Sequence, residues 1–119
     1  MQVVPVDPNI AFAQARWDSL TDRERAARII AAVKAQRTNL TELALRLGLR
    51  YASVHAWTTA DAHCDWARWM AISLALGLPQ TWEPSESQLT AALDRFDKLR
   101  PDWRDYTDDG PPNPGSEGS

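Results

Sequence analysis

The segment 39–57 constrains the fold of this chain more than any other part of its sequence. Two helices can cross steeply through a turn of three to four residues only if a small residue lets the backbones approach and a residue tolerating positive φ forms the turn. Ala44 and Gly48 stand at those positions. The apolar residues that lock such a corner also have the required spacing: Leu43, Leu47, Leu49, Val54 and Trp57. The segment therefore predicts two short helices, at about 40–47 and 51–58, with Leu49 entering the core between them.

The run L-A-x-x-L-G-L-x-x-x-x-V-x-x-W within this segment resembles the Cro/repressor-type (XRE-like) helix-turn-helix family, including its short phage regulators. A helix expected at 22–36 fits the first helix of that family. The run A-I-S-L-A-L-G-L-P at 71–79 is similar to the end of its fourth helix. The resemblance covers roughly residues 22–79 and leaves the flanks unexplained. It implies that the helix at 51–58 lies in the major groove of DNA.

Carried over residue by residue, the resemblance assigns two kinds of contact. The positions matched to base contact are Arg50, Tyr51, Ala52, Ser53 and Ala56, and His55, on the outer side of the helix, is also expected to reach a base or a phosphate. The residues expected to hold phosphates are Asn39 through its neighbouring amides, Arg46 and Arg37. A plain surface role is the alternative for His55. The chain departs from the family at Ala52 and Ala56, where DNA-reading members often carry polar or basic residues, and at the helix start, where Arg50 replaces a small polar residue.

Capping patterns and apolar stripes at helical spacing predict the remaining helices. They are expected at about 9–19, 22–36, 65–77 and 86–99. In the second of these, Arg25, Arg28 and Lys34 lie off the apolar stripe. In the third, Leu74 is assigned to the stripe together with Trp66 and Trp69. No alternating strand pattern of useful length occurs, so the predicted fold is an all-α, compact domain of four to five helices with a helix-turn-helix.

Composition shifts divide the chain into four parts. They are an N-terminal extension (1–20), a helix-turn-helix domain (21–79), a linker with a C-terminal helix (80–106) and a tail (107–119). The tail is acidic, rich in glycine and proline and without apolar anchors, which predicts disorder. The apolar stripe of the helix 86–99 predicts either a homodimer contact or packing across the domain. The tryptophans of the flanks, Trp17, Trp82 and Trp103, are expected either to pin those flanks or to form a partner surface.

The net charge of −3 by itself disfavours nucleic-acid binding, but the charge is unevenly distributed. The stretch 16–68 has nine basic and six acidic residues, whereas the sequence from residue 69 onward has four basic and nine acidic ones. A phosphate backbone responds to the local field at contact distance. The asymmetry therefore permits DNA binding without requiring it.

Several function classes are disfavoured. The single cysteine, Cys64, excludes an internal disulfide. The cluster of Asp61, His63, Cys64 and Asp65 lacks the second ligand pair that zinc needs, so no metal and no cofactor are expected. There is no glycine-rich phosphate loop and no catalytic constellation, and we expect no enzyme. No apolar run approaches the ~20 residues of a membrane span, and residues 1–6 do not form a secretory signal, so a cytoplasmic location without membrane contact is expected.

The sequence thus supports two hypotheses. In the first, the chain is a transcriptional regulator of bacterial or phage origin that binds a specific site on double-stranded DNA. In the second, it is a protein-interaction module on the same scaffold, such as an antirepressor, a phage inhibitor of a host factor or an assembly adaptor. The overall acidity, the alanines at 52 and 56 and the surplus of tryptophan favour the second. Binding that weakens steeply with salt would favour the first.

Overall fold

The computed structural model describes residues 7–102, and its regular structure is entirely helical, as predicted. The helices are α1 (Pro8–Ser19), α2 (Asp22–Ala35), α3 (Leu40–Leu47), α4 (Tyr51–Thr58), α5 (Trp66–Leu76) and α6 (Glu86–Leu99). These six helices lie at the six positions predicted from capping patterns and apolar stripes, with α1 and α6 flanking the four helices of the predicted central domain. The tail at 107–119 and Trp103, for which predictions were made above, lie outside the described residues.

The helix boundaries follow from capping residues. Thr21 and Ser85 start α2 and α6 with reciprocal capping boxes. The side chains of Asn39 and Asp65 start α3 and α5 by accepting a hydrogen bond from the backbone N–H three residues further on. The predicted bounds of the helices at 40–47, 51–58 and 86–99 are confirmed.

Stacked tryptophans join the N-terminal helix to the core. The rings of Trp17 and Trp69 stack with centroids 4.6 Å apart, and Trp82 lies 6.3 Å from Trp69 at a tilt. The indole Nε1 of Trp17 also donates a hydrogen bond of 2.9 Å to the backbone carbonyl of Cys64. Trp17 and Trp82 therefore pin their flanks to the domain, which is one of the two roles predicted for them.

Helix α6 packs along α2 within the same chain. Ala92 of α6 lies against Ala27 and Ala31 of α2 in a small buried cluster, and these small side chains let the helices approach closely. Phe96, one turn further along, is fully buried. The apolar stripe that predicted either a dimer contact or intramolecular packing thus packs against α2 over most of its length, although Leu99 at its end remains 48% exposed.

Two arginines of α2 that were placed off its apolar stripe are in fact buried, with 8% of Arg25 and 5% of Arg28 exposed. Arg25 is accommodated because its guanidinium donates to the carbonyl oxygens of Trp17 and Asp18 at the end of α1. Arg28 reaches Glu83 at 3.3 Å. The stripe itself does not reveal this burial, because the elements that cover the arginines, α1 and the loop before α6, lie outside α2.

Two leucines assigned to the core are instead exposed. Leu49 is 45% exposed, because its backbone N–H closes the turn onto the carbonyl of Ala44 while its side chain points outward. Leu74 is 83% exposed, because it lies on the side of α5 away from the buried Ile72 and Leu76. The aromatic side chain of Phe12 in α1 is also largely exposed. Within residues 7–102, none of the helices has the length and apolarity to cross a bilayer.

Candidate nucleic-acid interface

The corner between α3 and α4 forms as the sequence predicts. Gly48 adopts a left-handed conformation, with φ of 69°. The N–H groups of Gly48 and Leu49 donate back to the carbonyls of Leu45 and Ala44, which closes α3 with a Schellman-type turn. The buried side of the corner consists of Leu43, Ala44, Val54 and Trp57. The turn is therefore fixed from both sides, and it sets where α4 begins.

The first turn of α4 is exposed to solvent on the side away from the core. Arg50 precedes the helix without capping it, and Arg50, Tyr51, Ala52 and Ser53 are all exposed. The second half of α4 packs into the core through Val54, Trp57 and Thr58. The first turn of α4 is consequently the part of the helix that a partner can reach.

A cleft opens beside α4, between α2, α3 and α6, with a volume of about 560 Å³. Tyr51 and His55 of α4 line it, and their rings stack with centroids 5.6 Å apart. Its polar lining comes from Lys34, Thr38, Asn39, Thr41, Thr58 and Arg95. No carboxylate of the described residues lines the cleft. Its electrostatic character is therefore set by a lysine and an arginine.

A second hollow, of about 400 Å³, runs between α2 and α6 and shares Lys34 and Arg95 with the first. Its other lining residues are alanines, Ile30, Ser87 and Gln88, again without a carboxylate from the part of the chain that the structure describes. The two hollows together make a depression that runs from α4 along α2 and α6.

The basic side chains near this depression differ from the other described ones in forming no ion pair within residues 7–102. Elsewhere the arginines and lysines form ion pairs, as between Arg23 and Asp97 or Arg68 and Asp65. Among residues 7–102, the cations that form neither an ion pair nor a side-chain hydrogen bond with another described residue are Lys34, Arg37, Arg50 and Arg95. Two of these line the cleft, and the other two adjoin the lining residues Thr38 and Tyr51 in sequence. Unneutralised positive charge is thus concentrated around the start of α4.

The predicted phosphate contacts have different surroundings. Asn39 lines the cleft and caps α3, with its Oδ1 2.8 Å from the backbone nitrogen of Glu42. Arg37 is exposed and adopts a left-handed backbone conformation with φ of 53°. Arg46 is exposed, but its guanidinium already bonds within the protein. It donates to the carbonyl of Ala75 at 3.1 Å and pairs with Glu42 at 3.4 Å.

The structure thus brings Asn39, Tyr51 and His55 together in one cleft. Ser53 lies on the exposed turn of α4 but outside the cleft lining. Sequence reasoning did not select Lys34 and Arg95. Lys34 gave a weak signal because it lies off the apolar stripe of α2, whereas Arg95 gave none because it lies beyond the segment that resembles a known family.

The turn around Cys64 has a different character. The Cys64 thiol is buried, and this burial, with a smaller contribution from the carboxylate of Asp65, raises its pKa to about 12. His63 Nδ1 lies 3.0 Å from an oxygen of Asp22. A backbone hydrogen bond from Arg68, and the charge of that residue, lower the pKa of the exposed Asp65. No group of three or more metal-ligating side chains comes together within the described ranges.

Comparisons of the chain with protein-family models, with curated proteins and with solved structures find no match. The resemblance to the Cro/repressor-type family therefore stays a prediction from the sequence.

Proposed function

We propose that this protein is a sequence-specific, DNA-binding transcriptional regulator of bacterial or phage origin that inserts the start of α4 into the major groove. The observation that carries the proposal is the concentration, around that helix start, of cations that have no ion-pair partner among residues 7–102: Lys34, Arg37, Arg50 and Arg95. Cations without intramolecular partners are free to neutralise phosphates, and releasing the counterions of DNA supplies much of the binding free energy.

The exposed turn of α4 offers chemistry suited to base edges. A helix with its side chains is about 10–12 Å wide, which matches the roughly 12 Å width of the major groove. Arg50 can donate two hydrogen bonds to the O6 and N7 of a guanine. Ser53 can pair with several bases, and the methyl group of Ala52 suits contact with thymine. Sequence preference would accordingly centre on Arg50.

A protein-interaction role is the second candidate, and a separate observation favours it. Leu45 is 71% exposed and Leu74 is 83% exposed, so large apolar side chains remain at the surface of α3 and α5. In this reading α4 would contribute Tyr51 as an aromatic anchor.

Fluorescence anisotropy with a labelled duplex of about 30 base pairs separates the two functions. We expect the affinity of the wild-type protein to fall steeply between about 50 and 200 mM salt, because each neutralised phosphate contributes a slope near −0.9 to the logarithmic plot. Arg50→Ala should cost about 1–3 kcal/mol on a selected site. Arg16→Ala is the matched control, because Arg16 lies on α1 and pairs with Glu83. Absence of binding at 50 mM salt, or equal effects of the two substitutions, would contradict the proposal.

A further inference from the structure

We propose that α6 is part of the DNA-binding surface, with Arg95 of α6 and Lys34 of α2 holding one phosphate of the DNA backbone between them. The inference rests on the proposed function and extends it to a helix outside the segment, 22–79, that resembles a known family. It assigns the depression beside α4 a ligand class, the phosphodiester anion.

Two positively charged side chains face the depression. Lys34 and Arg95 line both the cleft and the adjoining hollow, and no carboxylate of the described residues lines either. Neither cation has an ion-pair partner among those residues. Two like charges that face one depression raise each other's free energy, and an anion bound between them removes that cost.

The backbone of α6 is held in place close to Arg95. The next residue, Phe96, is fully buried. The residue after it, Asp97, accepts two hydrogen bonds from the guanidinium of Arg23, at 2.9 and 2.8 Å. This bidentate pair fixes α6 against α2 within one turn of Arg95, so the helix presents the arginine from a fixed backbone position.

The two cations lie beside the helix that is proposed to read bases. The cleft that holds Lys34 and Arg95 is also lined by Tyr51 and His55 of α4 and by Thr41 in the first turn of α3. An anion in the cleft would therefore lie beside the helix proposed to read bases. Because phosphate contacts set the register of a protein on the duplex, a contact from α6 would help to orient α4 in the groove.

The test compares single variants with a charge control on the same helix. The variants are Lys34→Gln, Arg95→Gln, their double mutant and Lys98→Gln. Lys98 is exposed, pairs with Asp94 and does not line the cleft. The probe is the labelled duplex of about 30 base pairs, titrated at several salt concentrations. The three side chains that these variants replace are all exposed, and thermal unfolding monitored by circular dichroism verifies that each variant folds.

We expect each single cleft variant to bind the duplex about fivefold more weakly than the wild-type protein, while Lys98→Gln binds like the wild type. If Lys34 and Arg95 hold the same phosphate, the double mutant loses one phosphate contact. The slope of the logarithm of the binding constant against the logarithm of the salt concentration should then fall in magnitude by about 0.9 in total, and not by twice that amount. If the wild-type protein binds DNA and the cleft variants behave like Lys98→Gln, the role of α6 is refuted while DNA binding stands. If the wild-type protein binds no duplex at low salt, both proposals are refuted.

Discussion

The phenol ring of Tyr51 stacks on the imidazole of His55 one turn further along α4, with centroids 5.6 Å apart and planes inclined by 22°. Tyr51 is half exposed, and both rings line the cleft beside α4. The stack orients Tyr51 at the border between the exposed start of the helix and the cleft. The proposed function gives this ring a role in binding rather than in folding.

We therefore expect Tyr51→Ala to change binding far more than stability. Removing the stacking between Tyr51 and His55, which lie one turn apart on α4, should lower the free energy of unfolding by no more than about 0.5 kcal/mol. Affinity for a selected duplex should fall about tenfold, because a contact residue is removed at the helix start. Chemical denaturation and anisotropy measure the two effects, and His55→Ala is the matched variant that breaks the stack but keeps Tyr51. A loss of stability above 2 kcal/mol with unchanged binding would contradict this assignment.

Arg37 offers a test in which stability and function move in opposite directions. It adopts φ of 53° in the turn after α2, a conformation that costs a non-glycine residue about 1 kcal/mol. Arg37→Gly should therefore raise the free energy of unfolding by about 0.5–1 kcal/mol. The same substitution should weaken DNA binding, because it removes an exposed cation beside the cleft. Arg37→Asn is the control that tolerates the left-handed conformation and also lacks the charge, and it should weaken binding equally. Unchanged affinity in both variants would exclude Arg37 from the interface.

The two buried arginines of α2 should differ in their contribution to stability. Arg25 makes three hydrogen bonds of 2.8–3.1 Å, and Arg25→Met would remove the guanidinium donor from the carbonyls of Trp17 and Asp18, of which Trp17 keeps the bond from the N–H of Leu20. We expect it to cost about 2–4 kcal/mol. Arg28 has one longer bond of 3.3 Å, and its Nη1 is buried without a hydrogen-bond partner among the described residues. Arg28→Met should therefore change stability by less than about 1 kcal/mol. Equal losses in the two variants would contradict this ranking.

The buried Cys64 thiol predicts a pH dependence of stability. Its pKa is raised from 9.0 to about 12 in the folded protein, chiefly by burial. Below pH 9 the thiol is protonated in both states and contributes no pH dependence. Above pH 9 it ionises in the unfolded chain but not in the folded one, so stability falls with rising pH up to about pH 12.

Between pH 8 and pH 10 this linkage should cost the wild-type protein about 1 kcal/mol more than a Cys64→Ala variant, measured by urea unfolding at each pH. Other groups titrate equally in both proteins and cancel in the comparison. Parallel pH profiles for the two proteins would show that the thiol is not protected by the fold.

The parts of the fold that could be predicted from the sequence are those governed by local rules. Caps such as Thr21 and Ser85, and the left-handed Gly48, fix helix bounds through interactions within a few residues, and those bounds are confirmed. Burial depends on partners distant in sequence. Arg25 is buried because α1 folds over it, and Leu74 is exposed because no described element covers its side of α5.

The candidate site divides in the same way. The exposed start of α4 at Arg50 follows from the turn at Gly48, which the sequence reveals. The cleft forms because α6 packs beside α2. No local sequence pattern indicates that Arg95 and Lys34, some sixty residues apart in the chain, line the same cleft. Arg46 is the opposite case. The family resemblance predicts a phosphate contact at this position, but the Arg46 side chain bonds to the carbonyl of Ala75 in α5.

Selection from a pool of random duplex DNA at about 100 mM salt, followed by sequencing, tests the central claim most directly. The Arg50→Ala/Tyr51→Ala double mutant is selected in parallel. We predict that the wild-type protein enriches a defined motif and that the double mutant loses it, with a palindromic motif indicating a dimer on DNA. Failure of the wild-type protein to enrich any motif, together with no retardation of duplex DNA at low salt, would contradict the account and direct attention to a protein partner.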